Sequence, residues 1–399
     1  MAIANKVGLA LGVVAAIALS IVPTARGRVA AATSAAPTPG VTRTTIAVGG
    51  IVTADAASKG ADIGAQARFA RANARGGVDG RTIVYSGTSA DAGGVISANS
   101  VFAVVPAVSP GLDTAALARA GIPFFGAAST AAWEANRWGF GFVGAQATRQ
   151  TRSVDPSWGR QLRALLGFAQ GSRVALVVDG DALGAARAEQ ARLSLRRAGF
   201  RPVAAVAVAV PPAPLPDLAP IAATVAAGAP AAVLLLASPA VTVALARQLT
   251  VLGFTGTVAT SEAHYQPTAP ALAEGMTVLV PYAPFEQSTA ANRRLAADVE
   301  AFAPGTALTP GVAAGYWAAD VFVAALRRAG RSLTRQGFLD AAHHGFSYSV
   351  PGTVGRSTWP AMHSQAVPCG ALVQSDGSRF LVVEPYRCAP PIVSPRRTR

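Results

Sequence analysis

The stretch PFFGAAST, residues 123–130, sets two aromatic rings before five residues that carry almost no side chain. Two phenylalanines behind a proline describe a short strand buried on both faces, as in the middle of a parallel sheet. The small residues after it have two readings. Outside the carboxyl end of such a strand they let a ligand approach the backbone, and the N–H groups opening the next helix favour an anion. Ser129 and Thr130 then add hydroxyl donors. The other reading is a tight strand-to-helix turn whose serine caps the helix.

Working outward, the same alternation of short apolar runs and helical spacing recurs on both sides. Upstream, TTIAVGG (44–50) is a β-rich run ending in glycine, and residues 61–75 set Ile63, Ala67, Phe69 and Ala70 on one helical face. GGVDG (76–80) is a turn before the strands RTIVY (81–85) and VFAVV (101–105), and a helix spans 113–120. Downstream the rhythm restarts with strands RVALVVDG (173–180), PVAAVAVAV (202–210), AAVLLLA (231–237) and GTVAT (256–260). Helices over 183–198, 216–227 and 241–252 separate them. Strands alternating with helices predict mostly parallel sheets covered on both faces. Two such series, broken near 144–156, predict two similar lobes. Helices over 290–302, 311–329 and 334–342 follow, and then a hairpin, GALVQ–SDGS–RFLVV (370–383).

At 399 residues, half of them hydrophobic, the chain has ample material for two domains. A net charge of +14 would suit nucleic acid, but the arginines are scattered along helices and the one dense basic run is the tail SPRRTR. Nucleic acid is therefore not an expected partner. Lys6 before an uncharged apolar run over 7–22, then Pro23 and overlapping A-x-A patterns over 30–36, describe an export signal, either cleaved or kept as an anchor. No cysteine stands there to carry a lipid. In an exported chain the two cysteines, Cys369 and Cys388, are expected to form a disulfide.

Catalytic patterns are thin. GFGFVG (139–144) satisfies G-x-G-x-x-G, but it follows a polar turn, WEANRW, and its spacers are bulky, so no dinucleotide site is expected. The histidines, at 264, 343, 344 and 363, form no metal-binding spacing, and there is no G-x-S-x-G elbow. His343 and His344 fall at a helix end, where imidazoles serve terminal carbonyls. No cofactor and no metal are expected. ATSEAHYQP (259–267) is more informative: Glu262 lies just past a strand end among small residues, either a solvated loop charge or a carboxylate for a ligand's ammonium.

The order of these motifs resembles the extracytoplasmic solute-binding proteins of branched-chain amino acid ABC transporters, of the periplasmic-binding type I fold. The resemblance spans about 44–385 and rests on ARGGVDGRTI, VFAVVPAVSPGL, AGIPFFGAAST, RVALVVDGDALG, RQLTVLGFTGTVATSEA, EGMTVLVP and GYWAADVFVAALRRAG, in that order. It implies two doubly wound, Rossmann-like α/β lobes, joined by a hinge, that close on a solute. The implied division is 1–36 signal or anchor, 37–43 linker, 44–147 with 283–351 as lobe 1, 148–282 with 352–390 as lobe 2, and 391–399 a basic tail. Carried over by position, Ser109, Ala127, Ala128 and Ser129 would receive a ligand carboxylate and Glu262 its ammonium. Leu183 and Ser238 stand where the family often has tyrosines, and Tyr316 matches a tyrosine of the late helix. Their replacement by Leu183 and Ser238 points away from a branched-chain ligand. SGTSADAGGVISANS (86–100) is shorter than the family's usual segment, so the helix expected there is reduced towards a turn. The function implied is capture of an amino acid or amide for an ABC permease, without catalysis, in the periplasm or cell envelope. The alternative is an anchored ligand sensor of the same fold.

Overall fold

A computed structural model describes residues 37–55, 57–109, 111–127, 133–144, 153–167, 170–209, 215–266, 274–390 and 392–393. The first series runs β1 (Thr45–Val52), α1 (Ala61–Asn73), β2 (Thr82–Ser89), α2 (Ala92–Ala98), β3 (Ala103–Val108), α3 (Thr114–Arg119), β4 (Phe124–Gly126) and β5 (Gly139–Gly141). These strands form one parallel sheet in the order β2-β1-β3-β4-β5. The shortened segment keeps its helix: α2 has seven residues and is capped by Asp91, which accepts from the Gly94 N–H at 2.9 Å.

The two phenylalanines of PFFGAAST alternate across this sheet, as a strand requires. Phe124 packs edge-on to Trp133 at 4.8 Å on one face. Phe125 stacks on Phe140 at 5.0 Å and meets Phe322 at 5.1 Å on the other. GFGFVG contributes β5 and this ring stack. It is therefore sheet, with its phenylalanines in the core.

The second series is β6 (Ser153–Val154), α4 (Ser157–Leu165), β7 (Arg173–Asp179), α5 (Ala182–Arg197), β8 (Arg201–Val208), α6 (Ala219–Ala227), β9 (Ala232–Leu236), α7 (Pro239–Val251), β10 (Thr257–Ser261) and β11 (Thr277–Val280). After β11 the chain returns to the first sheet through α8 (Ala290–Phe302), α9 (Pro310–Ala329) and α10 (Arg335–His343). Thr289, Thr309 and Thr334 cap these three helices. α9 is buried along most of its length and lies on α1. Glycines allow the approach: a Cβ on Gly64 would sit 2.0 Å from the Val312 carbonyl oxygen, and one on Gly315 would sit 1.8 Å from that of Ala61. The buried face of α1 holds Ala67 and Phe69 of the expected face, with Ile63 packed at its edge, and extends to Ala61, Ala65, Arg68 and Ala72, while Ala70 is exposed. Arg68 can be buried because it pairs with Asp320 of α9.

The hairpin β12 (Ser347–Val350) and β13 (Val354–Thr358) also stays with the first sheet. Trp359 stacks on Phe346 at 5.4 Å and meets Phe140 at 5.6 Å, and Ser357 Oγ donates to the Phe142 carbonyl at 3.0 Å. Gly355 of β13 also approaches the second sheet, at Cys369 and Tyr386, so this hairpin lies against both sheets close to residue 352, where the sequence reading set the boundary between lobes. β14 (Cys369–Ser375) and β15 (Phe380–Cys388) then join the second sheet, and β16 (Ile392–Val393) pairs with β6. That sheet reads β15-β14-β11-β10-β9-β7-β8, parallel from β8 to β11 and antiparallel at the β14–β15 edge. Cys369 and Cys388 are paired in register across that hairpin and joined as the expected disulfide.

Three crossovers link the sheets; the first bonds to the third, and the second bonds to the turn between β12 and β13. Val367 N–H donates to the Val143 carbonyl at 3.1 Å, and Ala283 N–H to that of Thr353 at 2.9 Å. Buried Asn292 sets its Nδ2 within 3.1 Å of the Ala283, Pro284 and Gln287 carbonyls, splinting the crossover between β11 and α8.

Candidate functional site

Both sheets are doubly wound, and each reverses its order once: between β1 and β3 in the first, between β7 and β9 in the second. Ligands of open α/β sheets sit outside the carboxyl ends of the strands that flank such a reversal. Ser109 follows β3 and Ser238 follows β9, so each stands at a switch point.

On the first sheet, Ser109 and Ala127 are half-buried at the ends of β3 and β4. Ala128 and Ser129 lie outside the described residues. Part of the small-residue run has a packing cause: a Cβ on Gly126 would lie 2.4 Å from the Ala107 carbonyl oxygen and 3.0 Å from the Trp133 ring. The Ala127 carbonyl accepts from the Val143 N–H at 3.4 Å, tying this end to the β5 side.

The second sheet carries most of the chemistry. Asp179, at the end of β7, accepts the Ser238 N–H at 2.9 Å and so holds the ends of β7 and β9 together. Asp181 caps α5 by accepting from the Gly184 N–H at 2.7 Å. Leu183 is half-buried on the first turn of α5, beside the core stripe Gly184, Ala188, Ala191 and Leu195. Ser238 Oγ is buried without a hydrogen-bond partner.

Glu262 opens a 3-10 turn directly after β10 and is half-buried. Burial pushes its carboxyl above the usual glutamate range, while its own N–H and the Arg187 guanidinium pull it down. The ionised form is therefore penalised where it stands, and a cationic partner would relieve it. The turn is firmly held. Three residues on, buried Tyr265 donates to Glu286 Oε2 at 2.5 Å, accepts from the Phe285 N–H at 2.8 Å and stacks on the Phe285 ring at 5.4 Å. These bonds tie the turn that bears Glu262 to the crossover after β11.

Two further residues join this group. Tyr282, just beyond β11, is 3% exposed, and its hydroxyl has no partner. Burial, with the negative fields of Glu262 and Glu286, holds its hydroxyl well above the usual phenol range. Arg187 of α5 is half-buried, and among the described residues no side chain pairs with it. Arg187 stands four residues after Leu183, and Tyr282 directly follows LVP of EGMTVLVP. Those spacings were the available signals.

Tyr316 is elsewhere. It is 1% exposed among α1, α8 and α9, where its hydroxyl donates to Asp298 Oδ2 at 2.5 Å and accepts from Arg71 Nη1 at 3.0 Å. The expectation that it faces a ligand does not match this position, since its polar atom is spent inside a helix interface. Of the two helix-end histidines, His344 Nδ1 meets the Asp340 carbonyl at 2.6 Å, as a terminal imidazole should. His343 instead pairs with His363, Nε2 to Nε2, at 2.8 Å. Among the described residues no group of three or more metal-ligating side chains comes together, and no helix is long and apolar enough to cross a membrane.

Comparison with known proteins agrees with the sheet order. A fatty acid ABC transporter substrate-binding protein from Thermomonospora curvata superposes with a TM-score of 0.69 at 20% identity, over 88% of this chain and 94% of that one. The leucine-, isoleucine-, valine-, threonine- and alanine-binding protein from Brucella ovis, in its closed conformation, gives a TM-score of 0.69 at 15% identity, over 86% and 95%. A solute-binding protein from R. palustris in complex with benzoate gives 0.64 at 14% identity, over 88% and 99%. No curated protein sequence matches the chain. The family profile described as "Periplasmic binding protein" matches residues 45–379, and the chain belongs to that family.

Proposed function

We propose that this solute-binding protein captures an amino acid, its ammonium received by Glu262 and its carboxylate by the first-sheet strand ends at Ser109 and Ala127. One observation carries the reading. Glu262 is a desolvated carboxylate that no cation of the described chain pairs, held rigidly beside a switch point. Arg187 acts on this desolvated carboxylate only through space, and an arriving ammonium supplies a direct charged partner. The crossovers between β5 and β6, β11 and α8, and β13 and β14 serve as the hinge of two lobes, and the loaded protein delivers its solute to an ABC permease without altering it. Relatives of this fold take fatty acid, benzoate and aliphatic amino acids by the words of their own descriptions, so the fold leaves the solute class to the site residues. The family is extracytoplasmic. Residues 1–36 act as the export signal, or as a tether if they are kept.

Calorimetric titration of the purified protein with the common L-amino acids tests this. At least one should bind, and Glu262→Gln should weaken it by about 100-fold, the size of losing a charge-assisted bond in a desolvated site. If no amino acid binds, or if Glu262→Gln binds it as tightly, the zwitterion reading is wrong.

A further inference from the structure

The polar atoms around Glu262 exceed what an ammonium needs. Leu183 and Arg187, four apart on α5, share one helical face. Ser238 is fixed beside the start of that helix by its N–H bond to Asp179, which ends β7 two residues before the α5 cap. Ser238, Glu262 and Tyr282 stand just past the carboxyl ends of the neighbouring parallel strands β9, β10 and β11, and α5, which bears Arg187, starts from the end of adjoining β7, so the four share one end of the sheet. Arg187 acts electrostatically on Glu262, as Glu262 does on Tyr282. Ser238 Oγ and the Tyr282 hydroxyl are both buried without partners. Together they offer a guanidinium and two hydroxyls, with Leu183 as apolar wall.

An aliphatic side chain laid against this wall would desolvate Arg187 and leave both hydroxyls unpaired, and sites built to hydrogen-bond reject analogues that cannot. An oxygen acceptor would satisfy them. We infer that the solute's side chain ends in a carboxamide or carboxylate, received by Arg187 and Ser238, with Tyr282 as a further donor. This rests on the amino-acid reading and narrows it.

The test uses calorimetric titration of the full exported chain with L-glutamine, L-glutamate, L-asparagine, L-aspartate, L-leucine and L-lysine. One of the four acceptor-bearing amino acids should bind at least about tenfold more tightly than leucine and lysine. The amide and acid arms then tell carboxamide from carboxylate. Arg187→Met should weaken that solute on the order of tenfold while leaving leucine unchanged or tighter. Ser238→Ala, which removes one oxygen, should shift the same ratio in the same direction and serves if the arginine variant does not fold. Leucine binding as tightly as the best of the four overturns this inference and leaves the amino-acid reading intact, as does a selectivity that both variants leave unmoved. Failure of every amino acid to bind overturns both.

Discussion

Two sets of polar side chains, each drawn from several elements, are finished in opposite ways. Beside the first sheet, Arg68 of α1 pairs with Asp320 of α9, whose other oxygen accepts from Tyr348 at 2.8 Å. Nearby, Arg71 pairs with Asp298 at 3.3 Å, and Tyr316 bonds both. At and beside the strand ends of the second sheet, Glu262, Arg187 and Ser238 are half-buried and Tyr282 is buried, and among the described residues no hydrogen bond or ion pair joins them. Folded proteins satisfy nearly all buried polar groups. Two unpaired hydroxyls, Ser238 and Tyr282, beside an unpaired carboxylate and guanidinium therefore set this end of the sheet apart from the paired helix interface, although the Trp317 and Trp359 ring N–H groups are unpaired as well. The closed set holds helices together. On the proposed reading, the open set is where the solute's polar groups are received.

The largest expected effect tests the closed set. Asp320→Ala strands the Arg68 guanidinium, only 7% exposed, and orphans the Tyr348 hydroxyl. Breaking such a pair from one side costs about 3–5 kcal/mol. Urea unfolding should show that loss, with solute affinity of the folded protein unchanged. A loss under about 1 kcal/mol would mean that the first region is no better committed than the second, and the contrast would fall.

A smaller effect comes from a pair that is closed without charge. One ring N–H of His363 goes to the Gly139 carbonyl, leaving Nε2 to accept from His343. Burial, with His343 and Arg137 close by, pushes His363 down to about 4, and burial with Arg137 and His344 lowers His343 against the pull of Asp340. Unfolded histidine takes up a proton near pH 6.5 while the folded pair resists it. Stability is therefore fully present above about pH 6.5 and is lost as pH falls towards 4, by at most about 1.4 kcal/mol per pH unit for each proton. Asp155, whose carboxyl burial pushes up to about 6, works in the opposite direction over the same window. Melting wild type and His363→Asn at pH 7, 5.5 and 4.5 isolates the pair. The wild type should lose its advantage on acidification, and a constant difference would show that the pair does not resist protonation.

The contrast also explains what the sequence could reveal. Sheet and helix order were legible because apolar runs such as AAVLLLA and spaced faces such as that of α9 report local burial directly. Glu262 was visible as an acid just beyond a strand. Arg187 and Tyr282 were not singled out, because sequence spacing alone does not show that a side chain is left unpaired, as the Tyr282 hydroxyl is; that is visible only once the neighbours are placed. The return of β12 and β13 to the first sheet was hidden for a similar reason. Trp359 could have packed on either lobe until Phe140 and Phe346 were in position. The buried face of α1 was only partly legible, because Arg68 looks like a surface residue until Asp320 faces it.

The smallest effect concerns Tyr316, where the sequence reading and the structure part company. If the family position carries its ligand role, Tyr316→Phe should weaken solute binding. If the observed bonds define the residue, the substitution removes only a hydroxyl between Arg71 and Asp298, which keep their own contact at 3.3 Å. A hydrogen bond to a charged group is worth about 1.5–3 kcal/mol, and the surviving ion pair places the expected loss of stability at the low end, about 1.5 kcal/mol. Solute affinity should stay within about twofold of wild type, because Tyr316 is walled off among three helices. A tenfold loss of affinity with unchanged stability would put this tyrosine back with the open set.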